Sequence, residues 1–319
     1  MPPSIRIVFL LVLLLAACGS APDTKRPRPS SSDIALPIRM VEDRFFLETT
    51  TKTGAPLSLY LDSAGGMYLS KPSAARLGLT VRHVSDPDEG DMDVVSFPEL
   101  SDVRIPRPQV TDIPVLEPDA GDEGDGMLGA PWFAGHAVTF DYPGRKLIVH
   151  TDGVLPDVPA EHRIPMSLQR DASGKAVSPY GRIQMTVAGE TIDMLFDTGA
   201  TVDLVPEAIE KLGPGPSQRA TSFITESVFA RWRAAHPEWR VIAPGDKNVN
   251  GAPLIEVPTI TVGGYDAGPV WFTWRPDKAF HEWMAQWMDK PSEGALGGSG
   301  LRYFRVGADW VHGVVTFAR

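Results

Sequence analysis

The chain has a single cysteine, Cys18, in 319 residues. Without a second thiol no internal disulfide can form, so a folded body must be held by packing alone. Long apolar runs are also missing. Ile7–Ala17 offers eleven apolar residues, where a membrane-spanning helix needs about 20. There is no HExxH, and the seven His are scattered, which leaves a zinc hydrolase with little support. Ser299 lies in a Gly-rich run but lacks the GxSxG spacing of a nucleophile elbow. No Gly-rich phosphate loop is present either. Positive charge is short: the formal net charge is −10, which argues against nucleic acid or an anionic membrane surface as partner.

What is present at the N-terminus is a targeting segment. Arg6, the run Ile7–Ala17 and the small residues Ala16-Ala17 describe a secretory signal over 1–17. With Cys18 next, the segment resembles the lipobox of bacterial lipoproteins. That resemblance implies a lipid on Cys18 as the mature N-terminus and a body tethered to the bacterial cell envelope, facing the periplasm. Gly19 is not an inner-membrane retention Asp, which leans toward the outer membrane. Residues 18–33, rich in Pro and Ser, read as an extended tether with a reach of about 45 Å. Val84–Gly126 carries thirteen Asp and Glu against two Arg and reads as a solvated acidic loop. Within it, Asp119–Gly126 lacks the ligand spacing of an EF-hand calcium loop.

The remainder repeats itself. Leu57–Leu79 (LSLYLDSAGGMYLSKPSAARLGL) aligns without a gap on Ile192–Pro214 (IDMLFDTGATVDLVPEAIEKLGP), pairing Asp62 with Asp197, Leu69 with Leu204 and Gly78 with Gly213. A second repeat pairs Gly126-Met127-Leu128-Gly129 with Gly294-Ala295-Leu296-Gly297, and Asp141 with Asp309. Alternating apolar residues around Gly54 and Gly189 predict hairpins, 44–50 with 57–61 and 181–187 with 190–196. Each leads into an Asp loop, a short strand (67–69, 202–205) and a short helix (72–77, 206–212) with Pro at its start and Gly at its end. Strand pairs 137–142 with 146–150 and 306–310 with 313–317 close the halves. Ser222–Ala235 and Lys278–Met288 read as helices, the second with Phe280, Trp283, Met284 and Trp287 as a stripe that packs on a sheet or roofs a groove. The expected fold class is all-β with a few helices, in two lobes, 34–155 and 156–319.

Asp197-Thr198-Gly199-Ala200, preceded by Met194-Leu195-Phe196, resembles the active-site motif of aspartic proteases. The segments at Leu128-Gly129 and Leu296-Gly297 resemble the apolar-Gly element that passes behind each Asp loop in that fold. The chain is thus similar to the two-lobed pepsin and retropepsin-like group. The resemblance implies a catalytic dyad of Asp62 and Asp197, with Ser63 and Thr198 bonding across to the opposite loop. It implies a peptide or protein substrate in the interlobe cleft, no cofactor and no metal. Two lobes complete a dyad within one chain, so a monomer is expected. Carboxylates about 3 Å apart share a proton, one accepting from a bridging water and the other donating to the scissile carbonyl.

Two features depart from the pattern. Ala64 stands where the family has Gly and Gly199 keeps it; if that backbone needs positive φ, Ala costs about 1 kcal/mol. No Tyr-bearing flap hairpin is evident between Leu79 and Pro118. Three readings follow: an endopeptidase; a catalytically inactive peptide- or protein-binding lipoprotein of the same fold; and a structural envelope lipoprotein whose D-S-A and D-T-G loops are turns.

Overall fold

The computed structural model describes residues 33–86, 90–118 and 123–319. The signal segment and Cys18 lie outside the described residues, as do nearly all of the tether and part of the acidic stretch. Among the described residues no helix is long and apolar enough to cross a membrane.

The chain is an all-β protein of two lobes on a shared base. The base is a six-stranded antiparallel sheet in the order 33–36, 146–150, 137–141, 305–309, 314–318, 163–165. Its centre is the pair Ala137–Asp141 and Arg305–Asp309, where Thr139 faces Gly307. Each of these strands comes from a different half, and the three strands on either side mirror one another.

The first lobe is an eight-stranded sheet in the order 38–41, 44–50, 56–61, 126–128, 68–70, 112–116, 90–96, 82–86. Pro56–Leu61 shows why its residues form a strand: Leu57, Leu59 and Leu61 are buried while Ser58 and Tyr60 are not, the period-2 pattern of a sheet with one packed face. The second lobe is a nine-stranded sheet, 241–246, 252–257, 270–275, 222–225, 294–296, 190–196, 182–187, 260–262, 265–267. The largest core cluster runs through both lobes and the base, from Phe45 and Leu59 through Phe140 and Phe196 to Phe304 and Phe317.

In each lobe a long strand pairs in parallel with a Gly-Leu segment, Leu61 beside Leu128 and Phe196 beside Leu296. The glycine after that leucine has neighbours that leave no space for a side chain: Gly129 abuts the carbonyls of Gly65 and Gly66, and Gly297 that of Thr221. These are the close approaches that hold each Asp loop from behind.

Four sequence expectations are revised. Ser222–Ala235 is helical only from Glu226; Ser222–Thr225 is a strand between Val270–Arg275 and Gly294–Leu296. That strand takes the place Tyr68–Ser70 holds in the first lobe. Ser70 N–H donates to Asp125 O, and Thr225 N–H donates to Glu293 O, while a helix follows each strand at once. The strand Thr201–Asp203 and helix Pro206–Leu212 are therefore an excursion, returned by Gln218–Ala220, and not the counterparts of Tyr68–Ser70 and Lys71–Arg76. The stripe of 278–288 splits: Phe280 and Met284 are buried, whereas Trp283 and Trp287 are 60% and 37% exposed. Its turns are one wide and then tight, so the i+3 and i+7 side chains swing off the buried face. Finally, the acidic stretch is not simply a loop, because Arg82–Asp86 and Gly90–Ser96 pair as a hairpin.

Candidate active site

The parallel pairings deliver Asp62 and Asp197 to the same point. Each leaves the end of its strand, and each is held from behind: Asp62 N–H donates to Leu128 O at 3.2 Å and Asp197 N–H to Leu296 O at 3.1 Å. The residue two ahead then turns its N–H onto the carboxylate, Ala64 to Asp62 Oδ1 at 2.8 Å and Gly199 to Asp197 Oδ1 at 3.0 Å.

Ser63 and Thr198 stitch the loops together. Ser63 N–H donates to Thr198 Oγ1 at 3.1 Å, and Thr198 N–H donates to Ser63 Oγ at 2.9 Å. The Ser63 hydroxyl donates in turn to Phe196 O at 2.9 Å, and that of Thr198 to Leu61 O at 3.5 Å. Both side chains are buried. Reciprocal bonds of this kind leave neither loop free to shift alone.

Between the loops the two carboxyl groups lie close enough for each to act on the other's proton. Burial lifts Asp62 above the ordinary carboxylate range against the N–H groups of Ala64 and Gly65. Asp197 is lifted well above it, first by burial and then by the charge of Asp62, with the N–H groups of Gly199 and Ala200 opposing. A pair so placed holds one proton where two isolated carboxyls would hold none.

The chain is similar in structure to an aspartic proteinase from Irpex lacteus, with a TM-score of 0.49 and 13% identity over 90% of this chain and 97% of that one. No family model matches the sequence, and no curated protein matches it.

The feared strain at Ala64 is not there. Ala64 is not among the residues with positive φ, and its side chain packs against the cluster of Leu195, Phe280, Met284, Met288 and Ala295. The tight positions are the two glycines beside Asp62. A Cβ on Gly65 would lie 2.7 Å from Asp62 Oδ2, and one on Gly199 would lie 2.5 Å from Asp62 Cβ. The first loop reads Ala-Gly where the second reads Gly-Ala, and in both the small residue falls where the Asp62 carboxyl needs room.

Sequence reasoning missed several neighbours of the dyad. A cavity of about 280 Å³ that includes both Asp residues is also lined by Tyr60, Tyr68 and Phe223, and by Arg44, Glu123 and Gln218. Tyr60 lies two residues before Asp62, and its phenol donates to Gly199 O at 2.8 Å and pairs with Thr201 Oγ1 at 2.9 Å. It is a third stitch between lobes; burial, then the charge of Asp62, pushes its pKa up. Arg275 stacks 4.0 Å over Phe223 and pairs with Asp246 at 2.8 Å, so a half-buried guanidinium backs one cleft wall. Burial pulls its pKa down, opposed by Asp246 and Asp197. Tyr60 carried a signal in sequence, since Leu57–Leu61 alternates and leaves it off the core face. Phe223 carried none, because its stretch read as helix. The hairpin 82–96 contributes no described residue to this cavity.

Proposed function

We propose that the chain is an aspartic endopeptidase in which Asp62 and Asp197 activate a water molecule against a peptide bond. The observation that carries this reading is the meeting of two carboxyls, Asp197 buried and Asp62 half-buried, on loops locked together by Ser63 and Thr198. With one proton shared, the ionised carboxylate takes a proton from the water as its oxygen attacks the scissile carbon. The protonated carboxyl donates to the carbonyl oxygen. The resulting tetrahedral gem-diol collapses as its C–N bond breaks, a proton passes to the leaving nitrogen, and the dyad returns to its singly protonated state. No covalent intermediate forms on the protein.

The cleft supports a peptide or protein substrate, and the dyad within one chain supports a monomer. The inactive binding-lipoprotein reading rested on Ala64. Its N–H reaches Asp62 and its φ is unstrained, which favours activity. The decisive assay is cleavage of a mixed peptide library from pH 3 to pH 8 by the parent and by Asp197→Asn. Cleavage that Asp197→Asn abolishes supports the reading; cleavage that survives it refutes the reading.

We further propose that the body hangs from a bacterial envelope by a lipid on Cys18, with Gly19 favouring the outer membrane. Mass spectrometry of the mature N-terminus tests this: an acylated Cys18, lost in Cys18→Ala, is expected. An unmodified cysteine in the membrane fraction would sink it.

A further inference from the structure

Arg44 is an unusual residue for the wall of a cleft. It opens the strand Arg44–Thr50, and its side chain is only 3% exposed. A long cation is rarely buried without full pairing. Here Nη1 donates to Gln218 Oε1 at 2.9 Å, across from the other lobe, and Nη2 donates to Glu123 Oε1 at 3.2 Å. Its Nε is buried with no partner among the described residues. Phe46 packs beneath it, 5.6 Å from the guanidinium carbon, and also 5.1 Å from the ring of Tyr60.

Both oxygens of the carboxylate on this wall are already engaged. Glu123 meets Arg44 with one oxygen and Arg39 with the other, at 3.4 Å, while Arg39 also pairs with Glu48. Arg44 and Gln218 both line the cavity, and the N–H groups of their guanidinium and side-chain amide outnumber the acceptors that meet them. Because Arg44 and Gln218 come from different lobes, that donor pair exists only where the lobes meet, beside the dyad.

We propose that Arg44 makes this end of the cleft a subsite for a side chain ending in a carbonyl or carboxylate oxygen, glutamine or glutamate, in preference to an apolar one. The inference deepens the peptidase reading and rests on it. A buried donor left unpaired by an apolar side chain is penalised, while an acceptor oxygen satisfies it with a charge-assisted bond. Glu123 sets the balance between the two acceptors, since its charge opposes a second carboxylate.

The test uses the full chain in detergent as Asp197→Asn, so that bound peptide is not turned over, together with cleavage by the parent chain. Octapeptides with a central apolar pair carry Gln, Glu or norleucine at each flanking position in turn, and binding is measured by isothermal titration calorimetry. At one position the Gln peptide is expected to bind about ten- to a hundred-fold tighter than its norleucine twin. Arg44→Met should erase that ratio. Glu123→Gln, which keeps an acceptor oxygen for Arg44 on a partly exposed side chain, should shift the preference toward Glu about ten-fold. No discriminating position, no binding by any peptide, or ratios unchanged in both variants overturns the subsite. Discrimination without any cleavage by the parent would keep the subsite and overturn the peptidase reading.

Discussion

Adding a methyl to Gly199 should do far more harm than removing the one on Ala64, although the two positions are equivalent in the repeat. A Cβ at Gly199 would stand 2.5 Å from Asp62 Cβ and closer still to Asp62 Cγ and Oδ2. Ordinary carbon contact is about 3.5 Å, so the Asp62 carboxyl must retreat by about 1 Å. It has little room to do so, because Gly65 walls its other side. A misplacement of that size costs about a hundredfold in rate, and overpacking of this kind destabilises by about 1–3 kcal/mol. Ala64→Gly keeps the N–H that serves Asp62 and relieves no positive φ. Its effect should be a loss of about 0.5–1 kcal/mol in stability from added backbone freedom, with kcat/KM within about threefold of the parent. The assay is kcat/KM on one cleaved peptide at the pH of maximal activity, with melting temperature measured alongside. A Gly199→Ala variant that works as well as the parent would refute the packing argument. So would an Ala64→Gly variant that gains two orders of magnitude, since it would show that Ala64 holds the dyad out of place.

Three further outcomes follow from the same geometry. Both dyad carboxyls have pKa values raised by burial, so the folded chain keeps protons that the unfolded chain has released; its relative stability is intact at low pH and is lost as pH rises through the raised values. Asp197→Asn cannot ionise, and its melting temperature relative to the parent should climb from pH 4 to pH 8; a flat difference would refute the shared, buried proton. Ser63→Ala removes the acceptor for Thr198 N–H and the donor to Phe196 O, and should lower stability by about 1–3 kcal/mol while reducing kcat more than it changes KM. Thermal unfolding and steady-state kinetics together check this, and an unaltered kcat would show that the lock is dispensable. Tyr60→Phe strips Gly199 O and Thr201 Oγ1 of their phenol partner and should cost about 1 kcal/mol, read by chemical denaturation; no change would mean that the stitch contributes nothing.

The part of this molecule that sequence exposed is the part in which local pattern and long-range pairing coincide. Asp62 and Asp197 sit at the ends of period-2 strands, and the Gly-Leu-Gly elements are legible because only glycine fits behind a loop. From Gly199 onward the two kinds of information part. Lys71–Arg76 and Pro206–Leu212 share a Pro start and a Gly end, and each is a real helix, so a gap-free alignment equates them. Yet caps and periodicity report how a segment folds locally, not what it lies beside. The neighbour of Gly294–Leu296 is Ser222–Thr225, a strand whose β-branched Ile224 and Thr225 run without a break into a helical pattern. Ala64 shows the same limit at one residue. Its chemistry, a backbone N–H on a carboxylate, was readable in the motif. Whether its methyl had room depended on Phe280 and Met284, more than two hundred positions along the chain, and no count of glycines in the loop could supply that. The dyad is therefore best understood through the Asp62 carboxyl and the two glycines that crowd it, Gly65 from its own loop and Gly199 from the other. Symmetry of sequence brought the loops together, but the space around one carboxyl determines which of the four small residues can carry a side chain.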